Sequence, residues 1–359
     1  MQQLHARPTD AVIHGLRASR RRSHLVVTAL WIAAAATATI ALAIGPIWIE
    51  PSTVARILIS HLLGTPLPTD VTAIADQIVW ATRAPRIAMA VVAGAALAVA
   101  GAALQSLTRN GLADPYLLGL NGGASAGVAA VVLVAGAATG LVLAGAALAG
   151  AVLATILVLA IAGSAATRGP SRLILAGLAV GYALMAVTNF LIFWSDSPEA
   201  ARSVLFWLLG SLASIQPLVL VAAALATIAG IGMLLLMATR LDALASGDDS
   251  ALALGLDPER ARFGIMTGTS AMVGVVVAGV GGVGFVGLIV PHAARALVGV
   301  RHRVMLPAAA AIGAALLVAA DTVARTAFAP QEIPVGVITG ALGAPVLLLL
   351  LRRTTATRS

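Results

Sequence analysis

The strongest constraint on this chain is the spacing of its apolar runs. From Leu25 onward they follow one another with only short polar breaks, near 25–45, 87–107, 117–138, 140–162, 173–193, 217–238, 264–283, 285–300, 305–327 and 334–351. A helix needs about 20 apolar residues to cross a hydrocarbon layer about 30 Å thick, and most of these runs qualify. No polar stretch between them is long enough to fold as a soluble domain. Only 10% of the residues are charged and 60% are hydrophobic, against about 25% charged in an ordinary soluble domain. The fold class expected is all-α: a polytopic membrane bundle of about ten transmembrane helices over residues 25–353. Residues 1–24 read as a disordered, basic cytoplasmic tail and 354–359 as a short cytoplasmic tail. The first run is too long for a secretory signal core of roughly 7–15 residues.

The stretch 264–300 fits this scheme least well. At about 37 residues it is too long for one helix and slightly short for two full spans plus a turn. The glycines in AGVGGVG mark a turn there. The expectation is one full helix followed by one short helix, whose ends protein or water must cover.

An even number of spans puts both termini on one side, and the charges choose the side. With the N-terminus inside, the inner segments hold 17 arginines: Arg7, Arg17, Arg20, Arg21, Arg22, Arg109, Arg168, Arg172, Arg240, Arg260, Arg262, Arg295, Arg301, Arg303, Arg352, Arg353 and Arg358. The outer segments hold five: Arg56, Arg83, Arg86, Arg202 and Arg325. Excess inner positive charge places both termini in the cytoplasm. The net charge of +8 is thus a topology signal and does not point to nucleic acid. Trp48, Trp80, Trp194 and Trp207 fall at predicted outer ends, where an interfacial aromatic belt belongs.

Several chemistries are excluded by what is missing. The chain has no cysteine, so it holds no disulfide, thiolate metal site or cysteine nucleophile. It has no lysine either, since all 22 basic residues are arginine, and a Walker-type phosphate loop needs one. Neither H-E-x-x-H nor G-x-S-x-G occurs, and no catalytic residue is assigned. His292 follows Pro291, but a zinc or iron site needs three or four ligands and no cysteine or carboxylate lies between Gly284 and Arg303. No metal ligand is assigned.

Other segments carry two readings each. In RLDALASGDDSALALGLDPERARFG, Arg240 to Gly264, Asp248 and Asp249 suit the first turn of a short helix and Gly255 its C-terminal cap. Ala251, Leu252 and Leu254 would form its apolar face, resting on the membrane or docking a cytosolic partner. Asn110-Gly111 and Asp114-Pro115 are turn chemistry. Asp321 and Arg325, four apart, can pair along one helix face, as a local ion pair or an outer docking contact. Gln105, Asn121, Ser125, Tyr182, Thr188 and Asn189 either line a pathway or bond between helices, and Gly177 with Gly181 admits close helix packing.

Three blocks carry a resemblance. The first, Arg83 to Val128, is similar to R-x-P-R, G-A-x-L and Q-x-x-x-x-N-x-L-A-x-P-x-x-L-G. The second, ALASGDDSALALGLDPERAR, is similar to A-L-G-[ED]-x-x-A-x-x-L-G. The third, Gly284 to Val346, contains G-F-x-G-L-x-x-P-H, H-R, L-P, A-D-x-x-A-R, E-[IL]-P-[VI]-G and G-[AG]-P. Together they resemble the FecCD family, the permease subunits of iron-siderophore and cobalamin ABC importers, over roughly residues 25–353. Ser246 stands where the family usually has leucine, and Gly111 where it usually has proline.

The resemblance implies ten helices and a pathway on the axis of a homodimer or of two homologous permeases in the cell membrane. It implies a cytosolic ATPase, which would bind the ATP and Mg, docking at Ser246, Gly247, Asp248, Asp249, Ala251, Leu252, Leu254 and Gly255. An extracytoplasmic binding protein would dock at Arg325, on the matching motif position, and at Arg56. An inner gate is implied at Gly169, Pro170 and Ser171. Pro291 and His292 would be architecture near the pathway, with Gln105, Asn121, Tyr182 and Asn189. The chain would hold no cofactor of its own. The commonest cargo by this analogy is a ferric siderophore, with heme and cobalamin as alternatives. The rival from another class is a secondary transporter driven by an ion gradient, which would need charged or unwound sites at the midplane.

Overall fold

A computed structural model describes residues 8–136, 140–162 and 170–356. Among these residues the chain is helical, with no strand. It begins with α1 (Pro8–Ala43), and α2 (Pro51–Leu63) follows on the outer side. The short α3 (Ala73–Asp76) and a π-helical stretch (Gln77–Arg83) lead into α4 (Ala84–Thr108). A 3₁₀ turn at Pro115–Leu118 precedes α5 (Leu120–Ala129), which continues as π-helix over Ala130–Val134. Next come α6 (Gly140–Ala162), α7 (Pro170–Trp194), the outer α8 (Pro198–Leu208) and α9 (Pro217–Leu236). On the inner side lie α10 (Ala238–Ala245) and α11 (Asp248–Ala253). The last four are α12 (Pro258–Val280), α13 (Val286–Val298), α14 (His302–Thr326) and α15 (Val335–Ala356). Among the described residues seven helices are long and apolar enough to cross a membrane, and three shorter apolar ones, Leu120–Val134, Val286–Val298 and Val335–Leu349, complete the ten expected.

The centre of the bundle is α4, whose apolar window is 83% buried, whereas the windows of α6, α7 and α9 are 22–28% buried. Its sequence explains this. The small side chains of AGAALAVAGAAL keep it thin enough for neighbours to approach on every side. It packs on α14, α13, α9 and α12. Gly94 lies against Gly313 of α14, where a Cβ on either would sit 2.2 Å from the other's carbonyl oxygen. Gly101 meets Gly287 of α13, and a Cβ there would stand 1.8 Å from the Gly287 oxygen. Lipid supplies no hydrophobic drive for helix association, so such small-residue contacts carry it.

The stretch 264–300 divides as expected. The end of α12 is closed at Gly281 (φ +70), and α13 begins after Phe285. Phe285 itself holds φ +68, a conformation bulky residues adopt only where their surroundings fix it. Its ring lies against Gly343 of α15, where a Cβ would come within 2.4 Å of Cγ. Protein covers the break. Ser211 N–H donates to Val280 O at 2.9 Å, and Val283 N–H donates to the Tyr116 hydroxyl at 2.9 Å. Val335 and Gly336 N–H donate to the carbonyls of Gly210 and Leu209.

Two expectations need correction. The segment read as a disordered tail over 1–24 is helical from Pro8, continuous with the first span. Its arginine-rich stretch contains no proline between Pro8 and Ala43 to stop the helix, and arginine is a good helix former. The two outer helices α2 and α8 were not anticipated. Each starts with proline at its first turn, a position where the missing N–H costs nothing.

Candidate functional site

On the inner face, α10 and α11 form a compact double turn. Leu241 and Leu244 of α10 are fully buried and anchor it to the bundle. Gly247 between the two helices holds φ +116, open to glycine and strained for other residues. Asp248 and Asp249 occupy the first turn of α11, where carboxylates favour the helix dipole. The helix closes as expected at Gly255 (φ +74): Gly255 N–H donates to Leu252 O at 2.8 Å and Leu256 N–H to Ala251 O at 3.0 Å.

The predicted apolar face of α11 divides. Ala251 points into the core, while Leu252 and Leu254 are 59% and 70% exposed. The Asp248 carboxylate accepts from both terminal nitrogens of Arg262 on α12, one at 3.0 Å, and lies 3.8 Å from Arg109 at the end of α4. The Arg262 hydrogen bond, outweighing partial burial, holds this carboxyl below the usual carboxylate range. That support is therefore present at neutral pH and is lost only as the pH falls through the depressed value. Asp242 of α10 is also lowered. Burial acts to raise it, but hydrogen bonds from His302 and the charges of His302 and Arg301 prevail.

At the inner end of α13, Pro291 has no N–H to offer the carbonyl of Gly287. Gln105 of α4 fills the gap: its Nε2 donates to Leu288 O at 3.1 Å and approaches Gly287 O at 3.4 Å. Its Oε1 accepts from Arg295. His292 Nδ1 donates to Leu288 O at 3.0 Å, and Gly111 leaves room for its other edge, since a Cβ there would stand 3.1 Å from Nε2. Gln105, Pro291 and His292 thus form one assembly that braces α13 around its internal proline. Among the described residues no three of His, Cys, Asp and Glu gather as a metal site would require.

The other pathway candidates separate into two groups. Asn121 of α5 lies beside Gly282 of the break, and its buried Oδ1 and the Ser125 hydroxyl have no partner. Tyr182 is 69% exposed on α7, and Asn189 is exposed on the same helix. Thr188 is spent on the carbonyl of Leu184. Gly177 and Gly181 admit Gly119 closely, so they pack α7 on the start of α5. Of the proposed gate, Gly169 lies outside the described residues; Pro170 and Ser171 begin α7, and their side chains also lie outside them.

Near the outer face the arginines do something the sequence reading missed. The last carbonyls of α1 have no intrahelical partner. Arg83 donates to those of Leu42 and Ala43 at 2.7 and 3.0 Å, and Arg325 donates to that of Ala41. Arg325 also lies 3.7 Å from Asp321, and Arg86 binds both Asp321 and Glu332 at 2.9 Å. The local pair of Asp321 and Arg325 is present, but Arg325 is 2% exposed. Arg56 is accessible at the surface, paired with Asp70 and bonded to Thr53.

One further cluster had no sequence signal. His302, at the start of α14, is within 2.6 Å of Asp242 on α10 and 2.6 Å of Ser106 on α4. These residues lie 60 and 196 positions apart, so no local spacing could have announced them.

The model of the FecCD transport family matches residues 30–353. A cobalamin import system permease protein of Halobacterium salinarum is 42% identical over 288 residues, 80% of this chain and 76% of its own. The vitamin B12 import system permease protein of Vibrio cholerae is 39% identical over 77% of this chain and 83% of its own. The Fe(3+)-citrate import system permease protein of Bacillus subtilis is 35% identical over 335 residues, 93% of this chain and 96% of its own. Among solved structures, a metal-chelate type ABC transporter in an inward-facing conformation superposes with TM-score 0.77 at 27% identity. It covers 92% of this chain and 99% of that one.

Proposed function

The chain belongs to the FecCD transport family as a permease subunit of an ABC importer, and we propose that its cargo is an iron chelate of the ferric-siderophore kind. The observation that carries this choice is the extent of the alignment. The Fe(3+)-citrate relative pairs with this chain over 96% of its length, against 76% and 83% for two cobalamin relatives. Cobalamin is the second reading, favoured by its higher identities of 42% and 39%. Both cargoes are metals already enclosed by an organic ligand, so the permease need only pass a large, preformed chelate.

Transport proceeds by alternating access. A separate cytosolic subunit binds ATP and Mg and docks at Ser246–Gly255, with Leu252 and Leu254 entering its surface. An extracytoplasmic binding protein selects the chelate and delivers it to the outer face, Arg56 included. A second permease completes the pathway, with the exposed face of α7 that bears Tyr182 and Asn189 turned toward it. The unwound segment between α12 and α13 gives the helices freedom to tilt, and Gln105, held by Arg295, donates to the carbonyls of Leu288 and Gly287 beside Pro291. This chain catalyses no reaction itself.

The cargo is tested by uptake in cells lacking other importers. Radio-iron supplied as a ferric siderophore enters when the permease and its companions are expressed, and excess unlabelled cobalamin does not compete. Cobalamin accumulation without iron uptake would transfer the assignment to the second reading.

A further inference from the structure

Three elements meet at the buried ring of His302. The coupling segment contributes Asp242 of α10, the central helix contributes Ser106 in the last turn of α4, and the histidine itself opens α14. His302 is 2% exposed. Asp242 Oδ1 accepts both the backbone N–H of His302 at 3.0 Å and its ring Nδ1 at 2.6 Å. The aspartate thus caps the N-terminus of α14 from a neighbouring helix, taking one of the donors a helix start leaves free. The Ser106 hydroxyl lies 3.0 Å from Ala102 O. The same hydroxyl is hydrogen-bonded to Nε2, 2.6 Å away. One ring nitrogen bonds to the coupling segment and the other to α4.

The surrounding charges leave this arrangement intact. Arg301 precedes the histidine and acts on Asp242. On α10, Arg240 is exposed, and on α14 Arg303 is exposed. Arg109, beyond Ser106 on α4, is engaged by Asp248, and Arg295 of α13 by Gln105. No other carboxylate among the described residues bonds to His302.

We propose that His302 is a positioning residue for transport, the joint through which displacement of the α10–α11 coupling segment is carried to the central helix α4. It rests on the importer reading above. A helix fixed only by apolar contacts can slide, whereas two short hydrogen bonds in opposite directions make α10 and α4 move as one body. Energetic coupling between sites needs such a physical link with discrete arrangements.

The test uses the assembled importer with its ATPase and binding protein in proteoliposomes, scoring chelate taken up per ATP hydrolysed. Asp242→Ala removes the partner of the His302 ring and of its backbone N–H, at a side chain that is 39% exposed. Ser106→Ala removes the other partner of the ring. Each lowers the uptake-to-hydrolysis ratio about tenfold, within the usual range of coupling between linked sites. Asp242→Asn keeps an oxygen in place and retains most of the ratio. Unchanged ratios in both alanine variants, or Asp242→Asn as damaging as Asp242→Ala, would overturn the proposal. A wild-type complex without ATP-driven uptake would instead sink the importer reading.

Discussion

Replacing Asp321 with alanine lowers the stability of the permease by about 3–5 kcal/mol, the cost of removing one partner from a buried ion pair. The carboxylate is 1% exposed and lies between Arg86 and Arg325, which are 6% and 2% exposed. Arg86 keeps Glu332, but Arg325 is left with only a backbone carbonyl and Thr322 for company. The loss reaches beyond one pair, because Arg325 also holds the final turn of α1 through Ala41. Thermal unfolding in detergent should show a midpoint many degrees below wild type. The double variant Asp321→Ala, Arg325→Met should recover only the part due to the unpaired charge, because the Ala41 carbonyl then loses its donor. A single variant as stable as wild type would mean that the network contributes little to holding α1 against α4 and α14.

The second large effect belongs to the inner face. Leu252→Asp with Leu254→Asp abolishes association with the ATPase while leaving membrane insertion and folding intact. Both side chains are largely exposed, so the permease core loses nothing. An interface that buries them would lose about 1.5–3 kcal/mol for each leucine. The new carboxylates would also crowd Asp248 and Asp249. Together these terms cost more than a hundredfold in affinity, at 1.4 kcal/mol per factor of ten. Copurification of the ATPase with tagged permease reports the result directly. Undiminished copurification would remove the two leucines from the docking surface.

The features legible in the sequence were those that local chemistry decides. The broken stretch 264–300 was readable because glycine spacing and span length conflict there. The end of α11 at Gly255 was readable because a left-handed residue must close a helix that turns so sharply. The inner acidic turn at Asp248 and Asp249 followed from the helix dipole. By contrast, the role of Arg325 could not be read from its four-residue spacing to Asp321. Whether that pair faces solvent or the core depends on α1, which lies 284 positions earlier. Arg86 meets Asp321 across 235 positions and Glu332 across 246. His302 likewise finds its partners only after α4, α10 and α14 have packed. The Gln105 bridge to α13 was half legible, since Pro291 announces orphaned carbonyls without saying which side chain will satisfy them.

The most direct measurement of the central claim is chelate uptake by purified permease in proteoliposomes, with and without its partners. Uptake should require ATP, the ATPase subunit and the binding protein together, and should stop when any one is left out. Accumulation by the permease alone, driven by a proton or sodium gradient, would contradict the account and mark the chain as a secondary transporter.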